Sequence, residues 1–440
     1  MIEMKDSGIE WIGVIPAHWE VKRLKDVSIL FSGLTGKAGE DFSPEPEDGL
    51  KPYIPFTNVL NNREIDPNTV NYVRIDKGEE QNLVNKDDLI FLMSSEDYDS
   101  IAKSAVVTSN VGEVYLNSFC RGLHITKKSI LPKFLNYLLL ASSCRDELRF
   151  QARGFTRINI KIDKIASHFI FYPHIKEQQA IADYLDKKTA EIDEQITALE
   201  KKSDAYQRLK RSLISEVVTR GLNPTAELKD SGIEWIGEIP EHWVIKRFKE
   251  MFRHYSTGFT PDSKDMKYFA DDEINTWVTI ADLVDKYIVD SNMYLSNKAI
   301  NDYAPILSPK GSLLFSFKLS VGKTAFAGKN LYTNEAIVTI PPQRNNDVRY
   351  FYYLIPEACA NNATENIYGA KMLNQKIIAN MILFAPPIDE QRAIADYLDK
   401  KTAEIDSNIS AISSKIDAYK RLKQSLIDEV VTGKRRIEKA

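Results

Sequence analysis

Along two stretches of this chain apolar residues recur every seven positions, and almost everywhere else they come in short unbroken runs. In the first stretch Leu185, Ile192, Leu199, Tyr206 and Leu213 make one line, with Thr189, Ile196, Ser203 and Val217 four residues further on. In the second the line is Leu398, Ile405, Ile412, Tyr419 and Leu426, with Thr402, Ile409, Ile416 and Val430 as its alternates. Alternating steps of three and four keep one face of a helix against a partner helix. Neither stretch contains Pro or Gly, and each is entered just after proline, at Pro173 and at Pro386-Pro387. The pattern predicts helices over 177 to 219 and 390 to 432, each a rod of roughly 65 Å.

The remaining runs have the length and composition of strands. YIPFTNV (53 to 59), DLIFLM (88 to 93), AVVTS (105 to 109), TWVTI (276 to 280), SLLFSF (312 to 317) and AIVTIPP (336 to 342) are separated by Gly, Asn, Asp and Pro turns. Helical stretches follow at 132 to 150 and 348 to 363. The fold class these elements predict is mixed α/β, of the α+β kind.

Both long helices belong to a duplication. Residues 6 to 27 return at 230 to 251 with 15 of 22 positions identical, and residues 177 to 219 return at 390 to 432 with 32 of 43 identical. The centres between them, 28 to 176 and 252 to 389, align only as faint pattern. The chain thus reads as a first globular domain (1 to 176), a helix (177 to 219), a linker (220 to 229), a second domain (230 to 389), a helix (390 to 432) and a basic tail (433 to 440). The linker reaches at most about 35 Å, half the rod, so the helices are expected to run antiparallel about a pseudo-two-fold axis. Thr432 should then lie beside the first block, as Thr219 leads into the second.

Composition narrows the classes. Charged residues make up 27% and hydrophobic residues 43%, the balance of a water-soluble globular protein, and no run of apolar residues is long enough to span a bilayer. A cytoplasmic location is expected. Cys120, Cys144 and Cys359 are odd in number and lack CxxC spacing, which argues for reduced, buried thiols and no metal site. With a net charge of -4, any binding of nucleic acid must be local or shared with partners.

Catalytic patterns are missing where they would be sought. Gly322-Lys323-Thr324 resembles the end of a phosphate loop but has Phe317 where its first glycine belongs, and no HExxH or GxGxxG occurs. Pro386-Pro387 lacks the flanks of a base-flipping methyltransferase motif and reads as the approach to a helix. Asp262 and Asp265 are too close in sequence to come from separate strands of a nuclease centre. Positive charge, by contrast, is clustered: residues 114 to 144 and 304 to 334 carry several Lys and Arg without an acid. Candidate DNA contacts are Lys103, Arg121, Arg153, Thr156, Arg157, Asn159 and Lys161 in the first centre, and Lys318, Lys323, Lys329, Lys371, Asn374 and Lys376 in the second. Lys and Arg suit phosphates, Asn and Thr suit base edges, and a solvated basic face is the competing reading.

DSGIEWIGxIPxHW opening each half, a PxxxEQ entry and AIADYLDKKTAEID starting each long helix, and two variable centres together resemble the specificity subunit of type I restriction-modification systems. DDLIFLM (87 to 93) and GSLLFSFKLSVGKTAF (311 to 326) are similar to that family's strand-and-turn element, although SSEDYDS replaces the glycine-bearing turn in the first. The resemblance implies two target recognition domains, each reading one half of a bipartite, asymmetric double-stranded DNA sequence, with the antiparallel helices as spacer. It implies two modification subunits docked on the repeated regions and restriction subunits joining them. S-adenosylmethionine, ATP and Mg2+ would sit on those partners, and this chain would bind no cofactor and catalyse nothing. The rival readings are a self-sufficient nuclease or methyltransferase with an unfamiliar motif, and a coiled-coil scaffold whose centres bind proteins.

Overall fold

Both long helices form in the computed structural model, and each runs slightly past its expected start, as Ile175–Arg220 and Ile388–Val431. The structure describes residues 3–271, 275–318, 320–365 and 371–437. Two compact units divide the chain within the helices: residues up to Glu200 with Ser414 onward, and Lys201–Ser413. Each unit therefore holds one part of both helices.

In the first unit Ile192 and Ile196 share a core with Leu426, Ile427 and Val430, while Ile416 and Tyr419 pack against it. Lys423 Nζ lies 2.6 Å from Asp193 of the facing helix. In the second unit Lys210 Nζ meets Asp406 at 2.7 Å. Asp193 and Lys210 recur as Asp406 and Lys423 in the repeat, so the two pairs are one contact made twice with the roles exchanged. As numbering rises along the first helix it falls along the second, which makes the pair antiparallel. Leu185 and Leu398 are buried and Leu199, Tyr206, Ile409 and Leu213 are half-buried, so the heptad positions form the packed stripe throughout.

Each helix ends on a glycine with positive φ, Gly221 at 75° and Gly433 at 71°, which terminates the last turn in the left-handed conformation. A Cβ built on Gly433 would sit 2.4 Å from Pro16 and 3.3 Å from Trp19, and one on Gly221 would sit 2.9 Å from Glu390 and 3.2 Å from Trp243. Gly433 thus lies against Pro16 and Trp19 of the first repeated block, beside which Thr432 is expected.

The repeated blocks interlock in the same way in each unit. Glu20–Arg23 pairs antiparallel with Phe169–Tyr172, and Val244–Arg247 with Ile382–Ala385. Trp19 stacks on Phe171 with centroids 6.1 Å apart and meets Phe134 edge-on at 6.2 Å. Trp243 does so with Phe384 and Tyr350 at 5.9 and 6.3 Å. The start of each long helix clamps this turn: Glu177 accepts from Trp19 Nε1 at 3.3 Å and lies 2.8 Å from His18, and Glu390 repeats both contacts. The next residue, Gln178, is fully buried and holds three backbone groups, Leu131 N, Ser129 O and Pro173 O. Gln391 holds Asp347 N and Pro386 O. These bonds are the physical content of the EQ and HW motifs.

The centres, unlike in sequence, share a sheet. In the first unit the antiparallel order is Ser104–Val106, Leu89–Leu92, Cys120–Ile125, Ser28–Ser32. In the second it is Thr324–Ala327, Leu313–Ser316, Ile337–Ile340, Ser256–Thr257, with Tyr287–Ile288 added in parallel beyond the first of these. The unbroken apolar runs follow from burial on both faces. Leu89 and Phe91 point into the core shared with the helices, and Ile90 and Leu92 into a second core. Leu313 and Phe315 divide from Leu314 likewise.

Local expectations needed revision in two places. YIPFTNV is strand only to Ile54; Pro55 then caps the short helix Phe56–Asn61. The helical stretch 132 to 150 is two helices, Pro132–Leu140 and Ser142–Gln151, broken by Ala141 in an extended conformation. Its counterpart Val348–Asn362 continues through Pro356. The three cysteines are buried and free, and burial pushes the Cys120 and Cys359 thiols up to about 12, which makes them unreactive.

Candidate nucleic-acid interface

Both units carry the same seam at one end of the sheet. In the first, Met93, just past the strand Leu89–Leu92, accepts a hydrogen bond from Ile160 N at 3.1 Å. In the second, Phe317, just past Leu313–Ser316, accepts from Leu373 N at 3.0 Å. The exposed candidates gather around this seam.

In the first unit Ser94–Ser95 pairs with Ile158–Asn159, and Arg153 and Asn159 exchange backbone hydrogen bonds of 2.8 and 2.9 Å. This closes a loop over 154 to 158. Gly154 has φ 149°, and a Cβ there would lie 2.0 Å from Arg157 O, so only glycine fits. Phe155 stands at the tip fully exposed, beside exposed Thr156 and Arg157. The Arg157 guanidinium lies 4.5 Å over the ring of Phe119, itself 40% exposed. Arg121, Arg157, Asn159 and Lys161 line one cleft of about 590 Å³, in which Asp163 is the one acid among the described residues. Arg153 joins this group through Asn159, with its Nη1 donating to Phe150 O and Ala152 O. Lys103 does not belong to it: half-buried, it lines a different cleft, with Nζ 3.4 Å from Leu60 O.

In the second unit Lys318 and Lys323 are exposed on the turn of the hairpin Leu313–Ser316 and Thr324–Ala327. Lys323 is therefore a turn lysine, its N–H donating to Ser316 Oγ at 3.1 Å. Lys371, Asn374 and Lys376 flank Leu373 on the segment bonded to Phe317, which brings them to the same seam. Asn374 caps the helix Gln375–Asn380, accepting from Ile377 N at 2.8 Å, so its carbonyl oxygen is already used. Lys329 lies at the other end of Thr324–Ala327 and pairs with Asp290 at 3.2 Å, away from the group. The exposed aromatics Phe119 and Phe155 escaped the sequence reading, which weighed charged and polar side chains alone. A Phe between Gly154 and Thr156 in a basic run was the available signal.

Among the described residues no group of three or more His, Cys, Asp or Glu is placed to hold a metal ion. Asp265, weighed above as a nuclease ligand, caps a short turn and pairs with Lys267. No helix among these residues is long and apolar enough to cross a membrane.

A duplicated frame that presents two different exposed loop sets is the design of a recognition protein with two unlike ligands. The family model for the type I restriction modification DNA specificity domain matches residues 16–201 and 240–417, and the chain belongs to that family. It is 25% identical over 446 residues to the putative type I restriction enzyme MjaX specificity subunit of Methanocaldococcus jannaschii, covering 97% of this chain and 96% of that protein. With the EcoKI specificity subunit of Escherichia coli K12 the identity is 22% over 442 residues, covering 96% and 90%. A structure described under complex assembly and conformational transition of the type I R-M system shares the fold with TM-score 0.72 at 17% identity, covering 96% of this chain and 99% of that one. The HsdS subunit from Thermoanaerobacter tengcongensis gives 0.53 at 16%, covering 96% and 98%.

Proposed function

We propose that this chain is the non-catalytic DNA-reading subunit of a type I restriction-modification complex acting in the cytoplasm. Each target recognition domain, within 1 to 176 and 230 to 389, reads one half of a bipartite duplex sequence. The helices set the separation of the halves. Two modification subunits dock on the repeated blocks and bring S-adenosylmethionine and the methylating chemistry, and restriction subunits bring ATP-driven cleavage with Mg2+.

The observation that carries this reading is the common seam with unlike loops. Met93 with Ile160 and Phe317 with Leu373 fix two equivalent platforms, and the side chains displayed on them differ. Equal platforms suit one kind of ligand, and unlike loops suit two sequences of it. Arg121, Arg153, Arg157 and Lys161 on one platform, and Lys318, Lys323, Lys371 and Lys376 on the other, supply phosphate contacts; Thr156 and Asn159 supply base-edge donors and acceptors.

The test uses the complex reconstituted with its methylating partners. Retention of duplex DNA should fall steeply with salt, and reversing the charge of Arg153 and Arg157, or of Lys318 and Lys323, should weaken binding and lower the salt slope by about one per lost phosphate contact. Unchanged retention in both double variants sinks this assignment of the interface. DNA cleavage or methylation by the chain alone would sink the non-catalytic reading.

A further inference from the structure

The cleft that holds Lys103 has an unbalanced charge. It measures about 700 Å³ and lies wholly within the first unit, between the helix Ser142–Gln151, the segment 61 to 64 and the paired long helices. Its three acids are each matched. Glu64 lies 3.5 Å from Arg63 and 3.2 Å from Lys133, Asp99 lies 3.2 Å from Arg149, and Asp193 lies 2.6 Å from Lys423. Two cations remain, Lys103 and Arg145, and among the described residues neither has a carboxylate within ion-pair distance. Arg145 is only 5% exposed; its Nη2 donates to Asp99 O at 2.8 Å, while Nη1 is buried with no partner. Lys103 has only the long contact to Leu60 O.

Such an arrangement is costly as it stands. Burial pushes the Lys103 ammonium below its ordinary value, and the charge of Arg145 pushes it further. Burial likewise brings Arg145 down to about 10. A buried donor left unpaired beside a second desolvated cation is relieved by a compact anion with several acceptor oxygens. Lys103 also occupies the frame position of exposed Lys323: Leu92 N donates to Lys103 O as Ser316 N does to Lys323 O. The same hairpin position is thus turned inward in one unit and outward in the other.

We infer that the Lys103–Arg145 cleft is a binding site for a phosphate group, with Lys103 supplying charge and Arg145 a directed donor. Free phosphate and a phosphodiester of DNA both carry this group, and the cleft is separate from the seam platforms. The test is the melting of the full chain in sodium phosphate against sodium chloride at matched ionic strength, with 31P line broadening as a second readout. Wild type should show a saturable, phosphate-specific rise. Lys103→Met should weaken that affinity by about tenfold or more while melting no lower than wild type in chloride, since the variant loses a like-charge neighbour. Lys103→Gln serves if the Met variant folds poorly. If short duplex DNA abolishes the phosphate broadening, the occupant is a phosphodiester; if it leaves it intact, the occupant is free phosphate. Absence of a phosphate-specific rise and of line broadening in wild type, or their full retention in both variants, overturns the site.

Discussion

His168 is 5% exposed, its ring stacks on Trp11 with centroids 5.0 Å apart, and its Nε2 is buried without a partner. Burial pushes the imidazole down to about 4 from an ordinary 6.5. The unfolded chain therefore takes up a proton that the folded one refuses between these values. The stability His168 allows is complete above pH 6.5 and is lost as the pH falls to 4, at most about 3 kcal/mol. Met381 fills the equivalent place in the second unit, its carbonyl accepting from Phe248 N as that of His168 does from Leu24 N. His168→Met should accordingly flatten the first unit's urea midpoint across this window; an unchanged pH slope would refute the assignment. Phe155 makes the opposite case, since a fully exposed ring contributes nothing to the fold. Phe155→Ala should leave melting unaltered and weaken binding of the specific duplex by about tenfold, with non-specific binding little changed, in filter-retention titrations. Gln178→Ala strips three backbone groups of their partner and should cost the first unit about 1–3 kcal/mol in urea unfolding.

Among the elements, the helix Val348–Asn362 tolerates Pro356 for a reason outside itself. Proline at that position leaves Tyr352 O without its helical donor, and Thr324 Oγ1 of the neighbouring strand donates to it at 3.2 Å. Thr324→Val should cost about 1 kcal/mol with Pro356 in place and much less in a Pro356→Ala background, a coupling that a double-mutant cycle of unfolding free energies would show. The long helices were legible down to their entry prolines because partner packing imposes a period that survives substitution. The break at Ala141 was not legible: nothing in LLLASSC forbids a helix, and the turn is fixed instead by Asp428, whose carboxylate accepts from Ser142 N at 2.8 Å and Ser142 Oγ at 2.7 Å from far along the chain. Asn374 carries a structural duty the sequence did not show, since its carbonyl oxygen caps the helix Gln375–Asn380.

For the molecule as a whole, duplication was plain where anchors such as Trp19 and Trp243 demand identity, and obscure where only burial is demanded. Leu89–Leu92 and Leu313–Ser316 hold the same place in the same sheet order, yet they keep in common only the Leu and Phe at their first and third positions, since many apolar side chains fill a two-sided core. Loop residues answer to a ligand absent from the chain's own packing, so Phe155 carried no periodic mark. Inserting seven residues at matching points in both long helices preserves the stripe and adds about 10 Å to the rod. Methylome sequencing should then show a longer gap between unchanged half-sites; altered half-site letters would refute the spacer role. The exchanged contacts of Asp193 with Lys423 and Lys210 with Asp406 have a further effect during synthesis. A ribosome has delivered every residue of the second unit once Ser413 emerges, yet the first unit still waits for Leu426, Ile427 and Val430. The half begun first is completed last, and a nascent chain stalled before residue 414 holds a finished second reader beside an unfinished first one.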